Sequence, residues 1–153
     1  MANTYAKTRT NYFKVTDIEG FKQFLDTVCA DDFIEISLDD AGEKISFDVD
    51  GFILGVPPQK VDENDDDDDN DDDNDADYIE PDYDEFIYGI QEFLTEDDAC
   101  IITRIEWEKM RFIEGFCNII TKNEVKSINL SDYAIETARK MLGNADWTTQ
   151  NDY

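Results

Sequence analysis

Residues 100–130 read CIITRIEWEKMRFIEGFCNIITKNEVKSINL. Cys100–Trp107, Arg111–Thr121 and Val125–Leu130 each read as a strand, and the latter two are joined by a turn at Lys122-Asn123-Glu124. Strands connected this tightly run antiparallel, because a parallel return needs a crossover of roughly a dozen residues or more. Helices flank this run. Before it, Pro81 suits the first turn of a helix, and Asp82, Asp84 and Glu85 suit its positive dipole end; Phe86, Ile87, Ile90, Phe93 and Leu94 supply the buried stripe. After it, Ser131 can cap a helix whose Ala134, Ile135, Ala138, Met141 and Leu142 are expected to face inward, with Gly143-Asn144 as its close.

The N-terminal part has the same vocabulary. Arg9–Val15 reads as a strand with Asn11, Phe13 and Val15 on one face. Thr16 opens a capping box with Glu19, and Ile18, Phe21, Phe24, Leu25, Val28 and Cys29 recur at helical spacing over about 17–30. Ile34, Ile36 and Leu38 alternate up to a turn at Asp39-Asp40-Ala41-Gly42. Ile45, Phe47 and Val49 alternate on the return, and Asp50-Gly51 signals a tight turn before Phe52–Val56. The order β-α-β-β-β, insert, α-β-β-β-α predicts one α+β domain over 1–153, an antiparallel sheet flanked by about three helices.

Between the two parts lies an acidic low-complexity loop over 62–80, expected to be disordered. Residues 62 to 85 hold sixteen acids and no Lys or Arg. The densest part is Asp65, Asp66, Asp67, Asp68, Asp69, Asp71, Asp72, Asp73, Asp75 and Asp77, interrupted only by Asn70, Asn74 and Ala76. The whole chain carries 39 acids against 13 bases, so without this run 23 acids still face 13 bases. Hydrophobic residues make up 41% and aromatics 12%, too many for a wholly disordered acidic chain.

The formal net charge of −26 excludes ordinary recognition of phosphates, and with it direct nucleic-acid binding and attraction to an anionic membrane. No apolar run approaches the ~18 residues that would span a bilayer. The first residues carry no apolar signal core, and three widely spaced cysteines, Cys29, Cys100 and Cys117, fit buried thiols in a reducing compartment, so a cytoplasmic protein is expected. There is no histidine, which removes the commonest general base and most transition-metal sites. The nearest thing to a catalytic pattern is Pro81-Asp82 followed by Glu124-Val125-Lys126, the residue types of a metal-dependent nuclease. Glu124 sits at a turn and the charge repels the substrate, so no enzyme and no cofactor are expected.

The Asp run admits three readings. It is a solvated loop that adds solubility. Or it imitates nucleic acid: an extended chain advances ~3.3–3.6 Å per residue, close to the ~3.4 Å between phosphates of one DNA strand. Or it binds calcium. Asp69, Asp71, Asp73, Asp75, Asp77 and Glu80 fall on positions 1, 3, 5, 7, 9 and 12 of an EF-hand loop, but Asn74 stands where Gly is required and no helix precedes it. Asp69, Asp71, Asp73, Asp75 and Glu80 are therefore weak metal candidates, and no dedicated metal site is expected. Acids elsewhere, such as Asp31-Asp32, Asp39-Asp40 and Glu96-Asp97-Asp98, favour mimicry over a simple linker. The predicted partner is a basic nucleic-acid-binding protein, contacted by the aspartates, with Tyr78 and Tyr83 as exposed aromatic anchors and Tyr88 on the boundary of its helix stripe. An adaptor holding basic proteins is the alternative. Lys7, Arg9 and Lys14 form a small basic patch expected to pair with the chain's own acids. A homodimer would lengthen the mimicked rod, and self-repulsion opposes it unless the interface is apolar.

Thr8–Asp17 (TRTNYFKVTD) and Ala134–Gly143 (AIETARKMLG), followed by Thr148-Thr149-Gln150, resemble small acidic proteins of Firmicutes phages and integrative elements. The likeness covers about a quarter of the chain and its motifs are structural. It implies a setting of anti-restriction and anti-CRISPR inhibitors, several of which mimic DNA, acting in the cytoplasm of a bacterial host.

Overall fold

A computed structural model describes residues 4–57, 80–109 and 111–148. In chain order the elements are β1 (Thr4–Thr10), β2 (Phe13–Lys14), α1 (Ile18–Asp26), β3 (Cys29–Ala30), β4 (Glu35–Leu38), β5 (Lys44–Val49) and β6 (Ile53–Gly55). They continue with α2 (Tyr83–Phe93), β7 (Cys100–Glu108), β8 (Phe112–Ile120), β9 (Val125–Asn129) and α3 (Leu130–Leu142). The class is α+β, as the order of strands and helices predicts.

Every strand pair is antiparallel. β1 and β2 lie along one edge of β5 and β4 along the other, and the sheet continues β1-β7-β8-β9. β7 and β8 stay in register over their full length, from Cys100 opposite Ile120 to Glu108 opposite Phe112. The 39–42 turn forms as expected: the Asp39 carboxylate accepts hydrogen bonds from the amides of Glu43 and Lys44 (2.8 and 3.0 Å), which holds its pKa below the usual carboxylate value.

The first predicted strand is broken, and the break has a countable cause. Thr8 pairs with Val49 and Phe13 with Ile45, so five residues on one side oppose four on the other. The extra residue is a bulge at Asn11-Tyr12 that flips the side-chain parity. Thr8 and Thr10 are buried before it, Phe13 and Val15 after it. Asn11 is exposed rather than sharing the face of Phe13. Its side chain accepts from the Ile101 amide (2.7 Å) and donates to the Ala99 carbonyl (3.0 Å), tying the bulge to the start of β7. The buried Thr8 hydroxyl donates to the Gly51 carbonyl, and that of Thr10 accepts from the Phe47 amide.

The tight turn at Asp50-Gly51 does not return the chain alongside β5. Gly51 has φ +132°, a conformation that favours glycine, and the Asp31 carboxylate accepts from the Phe52 amide (2.8 Å). The following strand, β6, is thereby steered onto β3 in a separate two-stranded sheet.

α1 and α2 cover one face of the main sheet. Phe13, Phe21, Phe47 and Phe86 are fully buried there with Ile45, Ile90, Leu94, Ile102 and Ile120. Their rings meet mostly edge to face, Phe13 on Phe21 at 5.6 Å and Phe21 on Phe93 at 5.5 Å, the geometry that suits aromatic quadrupoles.

Caps differ from expectation by one or two residues. Asp17, not Thr16, caps α1, accepting from the Gly20 amide (3.1 Å). Asp82 caps α2 with Pro81 lying before it, and Asn129, not Ser131, caps α3. Gly143, at φ +63°, ends α3 as expected. The larger correction concerns where α3 points: no residue of α3 is buried, and Ala134, Met141 and Leu142 are exposed instead of facing inward. Among the described residues no helix is long and apolar enough to cross a membrane.

Candidate functional site

The acidic run is rooted between β6 and α2, and both ends of that root are fixed. Val56 and Asp82 form an antiparallel bridge, the Val56 amide donating to the Asp82 carbonyl (3.1 Å) and the Asp82 amide to the Val56 carbonyl (2.8 Å). Gly55, at φ +129°, lets the chain approach this closely: a Cβ there would collide with the Asp82 carbonyl group and lie 2.6 Å from the Tyr83 nitrogen. The Asp82 side chain then caps α2 through the Glu85 amide (3.2 Å). One residue thus closes the loop and starts the helix.

Beside the root, α1 and α2 leave a groove of about 710 Å³ lined by Phe24, Thr27, Val56, Asp82, Glu85, Tyr88, Gly89, Glu92 and Phe93. Gly89 makes it narrow, because α2 passes against the Phe24 ring where any Cβ would clash. The floor is aromatic, Phe24 lying on Phe86 and Phe93, and the rim is acidic, with Asp82, Glu85 and Glu92 exposed. Tyr88, at 55% exposed, stands at the rim. Among the described residues no Lys or Arg lines the groove. Such a surface suits a Lys or Arg side chain, whose stem packs on apolar atoms while its head meets carboxylates or a ring face.

Asp65–Asp69, Asp71–Asp73, Asp75, Asp77 and Tyr78 lie outside the described residues, so of the expected contact surface only Tyr83 is described, and of the calcium pattern only Glu80, which is exposed. Among the described residues no three Cys, Asp or Glu side chains converge as metal ligands. Tyr83 is half-buried, unlike the exposed anchor expected. It is the first residue of α2 and faces the sheet, with its ring on Phe86 (5.6 Å) and its hydroxyl donating to Asn118 Oδ1 (2.6 Å). Burial pushes its pKa above the ordinary value. Tyr83 is a strut between helix and sheet, and Tyr88 is the accessible ring.

Several other charged residues are committed locally. Lys7 pairs with Asp50 and, at 3.7 Å, with Asp48, as expected of the basic patch; Arg9 and Lys14 form no ion pair among the described residues. Asp82 is used as a cap, and Glu124 pairs with Lys126 (3.6 Å) on an exposed hairpin end. Arg104 is held between the rings of Phe52 and Phe116, 5.5 and 4.8 Å from their centroids. Glu106 lies directly across from Glu114; partial withdrawal from solvent, then the neighbouring carboxyl, raises its pKa. Cys100 is buried and its thiol pKa is pushed up by that burial, which makes it inert.

The groove itself escaped the sequence reading. A glycine inside the apolar stripe of α2 is the one signal that a helix approaches a neighbour closely there, and it names neither the neighbour nor the gap beside it. Charge, by contrast, divides the chain plainly. Residues 1–99 hold 31 acids against 6 bases, while residues 100–148 hold seven of each. The acidic root, the groove and the run all belong to the first part. Comparison with family models, with curated proteins and with solved structures gives no match to this chain.

Proposed function

We propose that the chain is a non-enzymatic inhibitor that imitates the charge of a nucleic acid and occludes the basic channel of a bacterial defence nuclease, of the RNA-guided or restriction type. The observation that carries this reading is the concentration of charge: sixteen acids without a base over residues 62–85, on a first part that holds 31 acids against 6 bases. A run of carboxylates at phosphate-like spacing enters a channel built for phosphates, and its field steers the encounter. The groove beside the root adds a second kind of contact. Glu85, Glu92 and Tyr88 there receive a lysine or arginine from the channel wall, so the body as well as the run engages the partner.

The experiment is capture of a partner from a bacterial lysate on the immobilised protein, eluted first with duplex DNA and then with salt. Recovery of a nuclease complex in the DNA fraction supports mimicry, since competing nucleic acid displaces a mimic. Replacing 62–80 with Gly/Ser then abolishes inhibition of nucleic-acid cleavage by that complex, and Tyr88→Ala weakens it. Miscellaneous basic proteins released by salt alone would overturn mimicry in favour of an adaptor. Inhibition left intact by the Gly/Ser replacement would overturn the assignment of the run as the contact.

A further inference from the structure

The main sheet buries one face and leaves the other open. On the face away from α1 and α2 the odd-numbered side chains of β7 and β8 emerge, and Ile101, Ile105, Trp107 and Ile113 are exposed there. Tyr5 of β1 lies opposite Trp107 and stacks on it, ring centroids 5.8 Å apart. α3 starts over the same face: a Cβ on Gly115 would meet the Leu130 side chain at 3.3 Å. From there Leu130, Tyr133, Ala134, Thr137 and Met141 follow at helical spacing along one exposed side of α3. Ile113 is 72% and Met141 82% exposed. An amphipathic helix with nothing buried, beside a sheet face carrying exposed isoleucines, is half of a core.

We propose that a second copy of this chain supplies the other half, in a two-fold homodimer joined through the open face of β7–β8 and the exposed stripe of α3. Three arguments select that occupant. The first is charge. Residues 100–148, which carry nearly all of this surface, hold seven bases and seven acids, so the two contacting parts carry no net charge against each other. Contact through residues 1–99 would set 31 acids and 6 bases against the same again. A strongly basic partner, conversely, gains nothing from the neutral face. The second is area. Tyr5, Ile101, Ile105, Trp107, Ile113, Leu130, Tyr133 and Met141 together expose on the order of 1,000 Å², where a standard interface takes roughly 800 Å² from each partner. Patches on monomers are smaller, a few hundred Å².

The third is self-complementarity. A two-fold interface uses a self-complementary patch, and a sheet face beside a helix stripe is one: the stripe of each copy lies on the open sheet of the other. The inference stands apart from the nature of the partner captured by the acidic run.

Sedimentation equilibrium of the full chain from low to high micromolar concentration tests it. The expected mass at high concentration is twice the 17.7 kDa of one chain. The double variant Ile113→Glu/Met141→Glu is expected to raise the dissociation constant by roughly tenfold or more, since interface cores carry most of the binding energy and tenfold corresponds to 1.4 kcal/mol. Phe33→Glu, a 72% exposed site on the acidic part, leaves the dimer unchanged. Added salt tightens the native dimer by screening the two acidic parts from each other. Single-chain mass at every concentration overturns the proposal. So does a dimer that Ile113→Glu/Met141→Glu leaves intact, or one that Phe33→Glu dissociates. Should the double variant lose its far-ultraviolet circular dichroism, Met141→Glu alone, at an 82% exposed site, reads the interface: loss of dimer supports it and an unchanged constant overturns it.

Discussion

Gly55→Ala should damage the fold far more than its single methyl suggests. The residue sits at φ +129°, and the added Cβ would meet the Asp82 carbonyl group and the Tyr83 nitrogen, all backbone atoms. Two costs follow. Holding an alanine in a conformation reserved for glycine costs about 1–3 kcal/mol, and moving Asp82 away sacrifices the paired hydrogen bonds with Val56, each about 0.5–1.5 kcal/mol. Together they come to about 4 kcal/mol, a large part of the ~5–15 kcal/mol that stabilises a domain. For a chain of this size that lowers Tm by roughly 10 °C. Gly42→Ala is the control. Gly42 also has positive φ, +69°, with nothing within 4 Å of a Cβ, so its loss is the left-handed penalty alone, about 1–2 kcal/mol. Urea denaturation of both variants, with unchanged slope, separates the terms. If Gly55→Ala is no less stable than Gly42→Ala, the close approach at the insert root is not a constraint and the reasoning fails.

Two further substitutions probe the struts around the site. Tyr83→Phe removes the hydroxyl that donates to Asn118 and should cost about 1 kcal/mol in urea denaturation. Because burial raises the Tyr83 pKa, its contribution is fully present below pH 10 and fades as pH rises through the folded value; Tyr83→Phe removes that portion of the alkaline loss. Glu106→Gln should stabilise the protein at pH 7. The raised pKa means that folding penalises the ionised Glu106, a penalty absent once the group is protonated, so the gain measured in thermal melts shrinks to nothing as pH falls below the ordinary carboxylate range. A gain that grows toward acid pH would contradict the assignment.

Periodicity in the chain reported the elements well and their surroundings poorly. Strands at 100–108, 112–120 and 125–129 were legible because their turns are short and local, and α1 and α2 because their apolar residues recur at helical spacing. The bulge at Asn11-Tyr12 was not, since Thr10, Asn11 and Tyr12 give no apolar alternation that a one-residue slip would break. Caps were misplaced where neighbouring residues are both good cappers, Thr16 beside Asp17 and Asn129 near Ser131. β6 left the main sheet for a reason far away in sequence, the Asp31 carboxylate that receives the Phe52 amide. For α3 the stripe was visible but not what lies against it: amphipathicity says that a surface is to be covered, not by what. The acidic run was unmistakable, whereas the groove at its root needed Phe24 and Gly89 brought together from two helices.

The bridge between Val56 and Asp82 also bears on how such a protein can change over generations. With both ends of the intervening stretch pinned by one pair of residues, the body registers only that the two ends meet. Closing a loop between fixed ends grows costlier only with the logarithm of its length, about 0.6 kcal/mol for each doubling. Aspartates can therefore be added or lost in that stretch at almost no expense to folding. The length and charge of that stretch form a dial that selection can turn while the scaffold stays still.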